Sequence, residues 1–194
     1  MRILVGLGNP GRQYEKTRHN IGSRIVGDFA KEEKIALRKS ASLEAVWGKK
    51  EFQEEIRLLM PQSYMNLSGK VIARCVKRWN FPPEKMLVVV DDLQLPLGQL
   101  RVRSGGSDGG QKGLRSIIET LGTERFPRLR VGIASERLTG SWETFVLQSF
   151  DRREESLVRE VVKKATACCR LWIEEGIEVC MNRFNKKGSL DGTL

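Results

Sequence analysis

The sequence is poor in histidine, and this shortage narrows the chemistry open to the protein. One histidine, His19, is present among 194 residues. Imidazole is the side chain best matched to proton transfer near neutral pH, because its unperturbed pKa is about 6.5. Any imidazole chemistry must therefore pass through His19. The simpler alternative is that a lone histidine only caps or packs a turn.

Long apolar runs are also missing. No stretch approaches the roughly 18 apolar residues that a membrane-spanning helix requires, so we expect no membrane partner. The first six residues, Met-Arg-Ile-Leu-Val-Gly, are typical of a core strand and leave no room for a signal or transit peptide. We therefore expect a cytoplasmic protein.

Cysteine is scarce and is not spaced for metal binding. The four cysteines form no Cys-x-x-Cys pair and have no histidine near them, so a zinc site is not expected. Buried, reduced thiols are typical of a cytosolic protein. The four are Cys75, Cys168, Cys169 and Cys180.

Positive charge, in contrast, is abundant. The 34 basic and 24 acidic side chains give a net charge of +10. Such a surplus favours an anionic partner, with nucleic acid as the first candidate, although many proteins are basic only for solubility. Aromatic platforms for stacking bases are not evident, so we expect recognition of shape and phosphates. The basic residues of the densest stretch are Arg101, Arg103, Lys112, Arg115, Arg125, Arg128 and Arg130.

Strand and helix patterns alternate along the chain, without a repeat or a linker. They predict one α/β domain over residues 1–185, with a mixed, twisted sheet flanked by helices, and a flexible tail over 186–194. Asp151, with Glu154 or Glu155 nearby, is expected to cap the last helix. The predicted strands are 3–7, 86–90, 100–103 and 129–133, with a hairpin of 43–47 and 55–60 around Gly48-Lys49-Lys50. The predicted helices are 20–34, 67–79 and 113–121, followed by a long helical stretch beyond Asp151 to about residue 184.

The first strand is followed by a glycine motif, Gly6-Leu-Gly-Asn-Pro-Gly11, that matches the dinucleotide fingerprint. A nucleotide site would need an apolar helix directly after the third glycine, but residues 12–16 are polar. The acid expected at the end of a second strand is instead Asp28, inside a predicted helix. The glycines therefore predict a tight turn that presents Asn9.

Two polar clusters follow predicted strands. Residues 61–69 include Tyr64, Met65 and Asn66, and capping of the next helix by Ser63 or Asn66 is the simpler explanation for this cluster. Asp91 and Asp92 follow an apolar strand at the sheet edge where ligands bind. Adjacent carboxylates can hold a metal. Because no other acid is near, we expect a single aspartate that orients the histidine.

A third cluster, residues 104–116, is rich in glycine. Such a loop can bring backbone amides close to a ligand, or it can simply be mobile. Taken together, five motifs resemble the bacterial-type peptidyl-tRNA hydrolases over nearly the whole chain. They are Gly6-Leu-Gly-Asn-Pro-Gly11, Thr17-Arg-His-Asn20, Met65-Asn-Leu-Ser-Gly69, Asp91-Asp-Leu-Gln-Leu-Pro and this loop, which ends in Gly113-Leu-Arg-Ser116. The resemblance implies cleavage of the ester between a peptide and the 3′ end of tRNA. It also implies a monomer that uses no metal or organic cofactor.

The resemblance implies roles for individual residues. His19 is expected to act as general base on a water molecule, with Asp91 fixing its tautomer. Asn9 and Asn66 are expected to position the peptide end and the ester carbonyl, and their amides can donate to the oxyanion. Further residues expected to bind the substrate are Tyr14, Tyr64 and Met65. Lys112 is also expected to bind it, through its own charge rather than through the resemblance.

The basic residues Arg101, Arg103 and Arg130 are at positions similar to the family's contacts with tRNA phosphates near the 5′ end. An arginine fork suits a phosphate well, although a solvated surface charge is the alternative for each of them. The acceptor stem and the 3′ end of peptidyl-tRNA are therefore the expected partner.

One departure separates this sequence from the family pattern. The family usually shows Gly-Gly-His-Asn-Gly where this chain has Gly109-Gly-Gln-Lys-Gly113. Lys112 cannot accept a hydrogen bond as an amide can, but it could contact a phosphate or the oxyanion. The family's roles are therefore not transferred to Gln111 or Lys112. A non-catalytic RNA-binding relative remains the alternative, although the full set of Asn9, His19, Asn66 and Asp91 favours an enzyme.

Overall fold

A seven-stranded mixed sheet forms the centre of the protein. The computed structural model describes residues 1–135 and 141–185, and the predicted tail at 186–194 lies outside them. The strand order is β2-β3-β4-β1-β5-β7-β6. The strands are β1 (Arg2–Gly6), β2 (Arg38–Ser40), β3 (Ala45–Glu51), β4 (Glu55–Pro61), β5 (Met86–Pro96), β6 (Leu100–Arg103) and β7 (Arg128–Ala134).

The central strands β4, β1, β5 and β7 are parallel, whereas β2, β3 and β6 run antiparallel to their neighbours. The apolar run Leu87–Val90 is fully buried, as expected for a strand covered by helices on both faces. Leu4 of β1 lies opposite Leu58 of β4 and Leu87 of β5. This register brings the carboxyl ends of the parallel strands to one edge of the sheet.

Two helical layers cover the sheet. α2 and α3 pack on one face, and α1, α5 and α6 pack on the other, so the core consists of two apolar layers. Among the described residues, no helix is long and apolar enough to cross a membrane. The helices are α1 (Ile21–Glu32), α2 (Ser68–Trp79), α3 (Lys112–Leu121), α4 (Trp142–Val146), α5 (Glu155–Glu175) and α6 (Ile177–Phe184).

The predicted α/β architecture is confirmed, and the four cysteines are free and buried. The hairpin is also confirmed, but its predicted turn is wrong. Gly48 and the two lysines after it lie within β3, and the turn is formed by residues 52–54. Only glycine fits there, because a Cβ on Gly48 would come within 2.6 Å of the Ala36 carbonyl oxygen.

The predicted C-terminal helical stretch consists of two helices, α5 and α6. The break is Gly176, whose φ of +88° is a conformation that side-chain-bearing residues rarely adopt. Asp151 does not cap α5. Its carboxylate accepts from the Arg153 N–H in the preceding turn, and Glu154 is the residue next to the first helical position.

The apolar strand predicted to end at Val90 continues to Pro96 as β5. Beyond Val89, which pairs with the last residue of β1, β5 extends past β1 while still pairing with β7. Asp91 and Asp92 are therefore residues of β5 itself, at the carboxyl edge of the parallel strands, rather than residues of a loop after β5.

Candidate active site

A cleft of about 810 Å³ opens at the carboxyl edge of the parallel strands. Loops after β1 and β4, the end of β5, the loop before α3 and the short helix α4 form its walls. Of the residues predicted for the site, all except Arg101 and Arg103 line this cleft. Those that line it are Asn9, Tyr14, His19, Tyr64, Met65, Asn66, Asp91, Lys112 and Arg130.

His19 and Asp91 form a buried pair in the floor of the cleft. His19 lies in a single 3₁₀ turn, Arg18–Asn20, and its Nδ1 is 2.8 Å from Oδ2 of Asp91. A carboxylate can only accept, so Nδ1 carries the proton and Nε2 keeps its lone pair. This is the tautomer that a general base needs.

The environment of His19 moves its pKa upward from 6.5. Burial acts to lower this pKa, but the charge of Asp91 and its hydrogen bond together outweigh burial. The ammonium group of Lys112 acts in the opposite direction and lowers it. Asp91 therefore both orients the ring and makes it a stronger base.

Asp91 and Asp92 have different partners, because successive side chains of a strand point to opposite faces. Asp92 accepts from Nε of Arg130 at 2.7 Å and from the Gln94 N–H at 2.8 Å. The adjacent carboxylates are thus separated between the two faces. Among the described residues, no group of three or more histidine, cysteine, aspartate or glutamate side chains is placed to hold a metal ion.

Asn9 is held in place by a second asparagine. The Asn20 side chain accepts from the Asn9 N–H at 2.8 Å and donates to the Asn9 carbonyl at 2.9 Å. The side-chain oxygen of Asn9 in turn accepts from the Met65 N–H at 2.8 Å. Because the oxygen of Asn9 is occupied, its NH₂ group is the part that a ligand can use.

The glycine motif around Asn9 leaves β1, bends at Pro10 and Gly11, and leads directly into one 3₁₀ turn, Arg12–Tyr14. α1 begins only at Ile21, so no α-helix N-terminus stands directly after Gly11, where a dinucleotide site would need one. Neither Ser63 nor Asn66 caps α2, whose N-cap is Leu67; the side-chain acceptor at its first turn is the Ser116 hydroxyl of α3, which accepts from the Gly69 N–H at 3.0 Å.

Gln111 is a buried residue of the site to which the sequence assigned no role. Its Oε1 accepts from the Leu114 N–H at 2.8 Å and caps α3. Its Nε2 donates to Oδ1 of Asp91 at 2.9 Å. The capping pattern is readable from the sequence, but the contact with Asp91 depends on how α3 meets β5.

Exposed groups form the rim of the cleft. Tyr64 is 56% exposed and Trp142 is 54% exposed, which is unusual for large apolar side chains. Lys112 and Glu143 lie 3.9 Å apart at their charged atoms, and both are open to solvent. The helix α4, which brings Trp142 and Glu143 to the rim and is followed there by Leu147, was not predicted.

The three predicted arginines lie close together but in different settings. Arg130 is not a solvated surface charge, because its side chain is 11% exposed and paired with Asp92. Arg101 lies opposite Arg130 in the β6–β7 register, and Arg103 lies opposite Arg128. Arg101 and Arg103 are exposed and lie outside the cleft, next to the wall that contains Arg130.

A histidine oriented by a buried aspartate, beside amide donors in an open cleft, is the arrangement of a hydrolase that activates water. The family model described as peptidyl-tRNA hydrolase matches residues 3–191. The chain is 39% identical over 187 residues to the peptidyl-tRNA hydrolase of Desulforamulus reducens, covering 96% of this chain and 90% of that protein. It is 38% identical over 187 residues to that of Aquifex aeolicus, covering 96% and 97%.

Solved structures agree with the sequence relatives. The crystal structure of peptidyl-tRNA hydrolase from Acinetobacter baumannii is 33% identical, with a TM-score of 0.87 over 95% of this chain and 94% of that one. The chain belongs to the peptidyl-tRNA hydrolase family, whose members hydrolyse the ester bond of peptidyl-tRNA. None of these findings favours the non-catalytic RNA-binding alternative.

Proposed function

We propose that this chain hydrolyses peptidyl-tRNA with His19 as the general base. In this mechanism Nε2 of His19 takes a proton from a water molecule, which attacks the ester carbonyl between peptide and tRNA. Asp91 holds Nδ1–H and stabilises the imidazolium that forms. The proton then passes to the departing 3′ oxygen of the tRNA, which leaves as a hydroxyl. The observation that supports this proposal is the 2.8 Å contact between His19 and Asp91 in the floor of the cleft.

The oxyanion is stabilised by donors at the cleft wall. The NH₂ group of Asn9 is directed by the hydrogen bonds that hold its backbone and its side-chain oxygen. Asn66 is exposed and lines the same cleft. A preorganised donor of this kind contributes roughly 10²- to 10³-fold to a rate. Lys112 adds a positive charge from the first position of α3, close enough to act on His19.

The peptide lies along the apolar rim and the tRNA along the arginines. Tyr14, Tyr64 and Met65 form the peptide wall of the cleft. Arg130, Arg101 and Arg103 are arranged on one face of the sheet, where they contact phosphates of the acceptor stem near the 5′ end. In this scheme the substrate is bound through its acceptor stem and 3′ end by a cytoplasmic monomer.

Incubation of the protein with three compounds, followed by measurement of ester hydrolysis, tests this function. Wild type is expected to cleave N-blocked aminoacyl-tRNA, to spare free aminoacyl-tRNA, and to leave a dinucleotide unchanged. His19→Ala is expected to lose roughly 10²- to 10⁴-fold in turnover, because the base is gone. Its tRNA affinity, measured by fluorescence anisotropy, is expected to remain near that of wild type. Unchanged ester release by His19→Ala would remove the assignment of the base.

A further inference from the structure

Gln111 connects the floor of the cleft to the first turn of α3. The residue is 7% exposed and follows two glycines with φ values of +57° and +84°, which turn the chain into the helix. The mechanism above gives it no task, although it contacts Asp91 directly. Both ends of this buried amide have hydrogen-bond partners, so its effect on each partner can be derived from the geometry.

The direction of the Gln111 amide is fixed by the chemistry of its neighbours. The Leu114 backbone N–H can only donate, so it must face the side-chain oxygen, at 2.8 Å. The NH₂ group then faces Asp91, whose carboxylate can only accept, at 2.9 Å. Reversing the amide would place two donors against each other at α3 and two acceptors against each other at Asp91.

Asp91 thereby receives one donor on each oxygen, because His19 binds Oδ2 and Gln111 binds Oδ1. A carboxylate held through a single oxygen can turn about its terminal torsion, which has a broad energy minimum. A second donor fixes the plane of the carboxylate, and with it the direction of the imidazole. The side chain of Asp91 is 3% exposed, so no bulk solvent can supply this donor.

We propose that Gln111 is a positioning residue that holds the plane of Asp91, so that His19 presents Nε2 to the attacking water. This inference rests on the proposed function, because it assigns Gln111 a task in the same proton transfer. Gln111 also places its Nε2 3.4 Å from Sδ of Met65, whose own N–H is bound by Asn9. One amide therefore touches both the acid that orients the base and the wall that holds the predicted oxyanion donor.

Gln111 also moderates the charge that acts on His19. The positive end of its amide faces Asp91 and offsets part of the carboxylate charge, so its removal is expected to raise the pKa of His19. Asp91 from β5 and Lys112 from α3 act on His19 directly. The other titratable side chains that line the cleft are Tyr14, Tyr64, Asp92, Arg130 and Glu143.

Two substitutions separate the positioning role from the capping role. Gln111→Met keeps the length of the side chain but removes both hydrogen bonds. Gln111→Glu keeps an oxygen for the Leu114 N–H but places a second carboxylate against Asp91. We expect kcat to fall on the order of 10- to 100-fold in both, with KM within about twofold, because orientation is lost and binding is not. A purely capping role predicts instead that Gln111→Glu behaves like wild type.

Gly122→Ala is the matched control, because it weakens α3 at its other end, away from the cleft. Gly122 has a φ of +65° in open space, so alanine strains the helix end without a clash. This variant is expected to lower the melting temperature while leaving kcat unchanged. Gln111→His, which restores one donor and one acceptor, is expected to recover kcat to within several-fold of wild type.

His19 is the sole histidine, so the NMR titration of its ring in untagged protein reports one group. Gln111→Met and Gln111→Glu are expected to move this titration, and the acid limb of kcat, to higher pH, and Gly122→Ala is not. Normal kcat in both variants with an unmoved titration would overturn the inference. An active wild type with inactive His19→Ala would leave the proposed function intact in that case. Failure of the wild type to hydrolyse the ester would instead contradict the proposed function.

Discussion

The floor and the rim of the cleft are built in opposite ways. On the floor, His19, Asp91 and Gln111 are buried, and each polar contact among them is shorter than 3.0 Å. On the rim, Tyr64 and Trp142 are more than half exposed, and Lys112 meets Glu143 only at 3.9 Å. In the proposed mechanism, the floor holds the groups that must keep one geometry for proton transfer. In the same proposal, the rim contacts the peptide, whose sequence differs from one substrate to the next.

Among the substitutions below, the largest effect is expected at Asn9, on the wall beside the floor. Asn9→Asp keeps the oxygen that accepts from Met65 but replaces the free NH₂ group with a second oxygen. Turnover is expected to fall on the order of 10²-fold, because a donor to the oxyanion becomes a repelling acceptor. Single-turnover ester release measures the effect, and a melting temperature near that of wild type would show that the fold is kept. Turnover at the wild-type level would mean that Asn9 does not face the reacting carbonyl.

A smaller effect is expected outside the cleft, at Arg101. Arg101→Ala removes an exposed cation beside Arg130 and is expected to reduce the slope of log affinity against log salt by about one. The affinity for tRNA is measured across a salt series. Lys39→Ala, at the opposite edge of the sheet, is the matched control and is expected to leave the slope unchanged. Equal slopes for Arg101→Ala and wild type would place the phosphate contact elsewhere.

On the rim, Trp142→Ala is expected to raise KM roughly fivefold, from the apolar area that the peptide no longer covers. Its kcat is expected to stay constant, since Trp142 touches none of the floor residues by hydrogen bond or ion pair. Trp142→Phe keeps most of the apolar surface and is expected to stay near wild type. A fall in kcat without a rise in KM would contradict the proposal that the rim acts in binding and the floor in turnover.

The smallest effect is on the pH dependence that His19 causes, because stability and turnover change in opposite directions as the pH rises. Since the folded protein raises the pKa of His19, the protonated ring favours folding. This contribution is full below pH 6.5 and is lost as the pH rises through the folded pKa. Turnover needs the neutral ring and rises over the same window. Melting temperatures of wild type and His19→Gln against pH are expected to converge as turnover increases, and parallel curves would contradict the shift.

Much of this architecture is readable from local pattern. β6 has the predicted bounds, and α3 and β7 begin one residue earlier than predicted, because their apolar periodicity and flanking glycines are local signals. The errors have tertiary causes. Gly48 looks like a turn residue but lies in a strand, where the Ala36 carbonyl leaves no room for a side chain.

The site follows the same division. The clustering of His19, Asn9 and Asp91 follows from the rule that parallel strands end at one edge. The contact of Gln111 with Asp91 depends on the angle at which α3 meets the sheet, and no local pattern encodes that angle. α4 is a single short helix, capped by Ser141, without apolar periodicity long enough to detect.

The buried Arg128 has a consequence for the glycine-rich loop at residues 104–110. Its guanidinium donates to the carbonyls of Gly106, Ser107 and Glu124, so the loop is tethered from beneath. Gly109, in turn, leaves no space for a Cβ against the guanidinium of Arg130, two residues along the same strand. The loop therefore contacts β7 through both arginines. In the proposed mechanism, a substitution of Arg130 that is meant to adjust tRNA affinity is therefore also expected to shift the start of α3, where Gln111 holds Asp91.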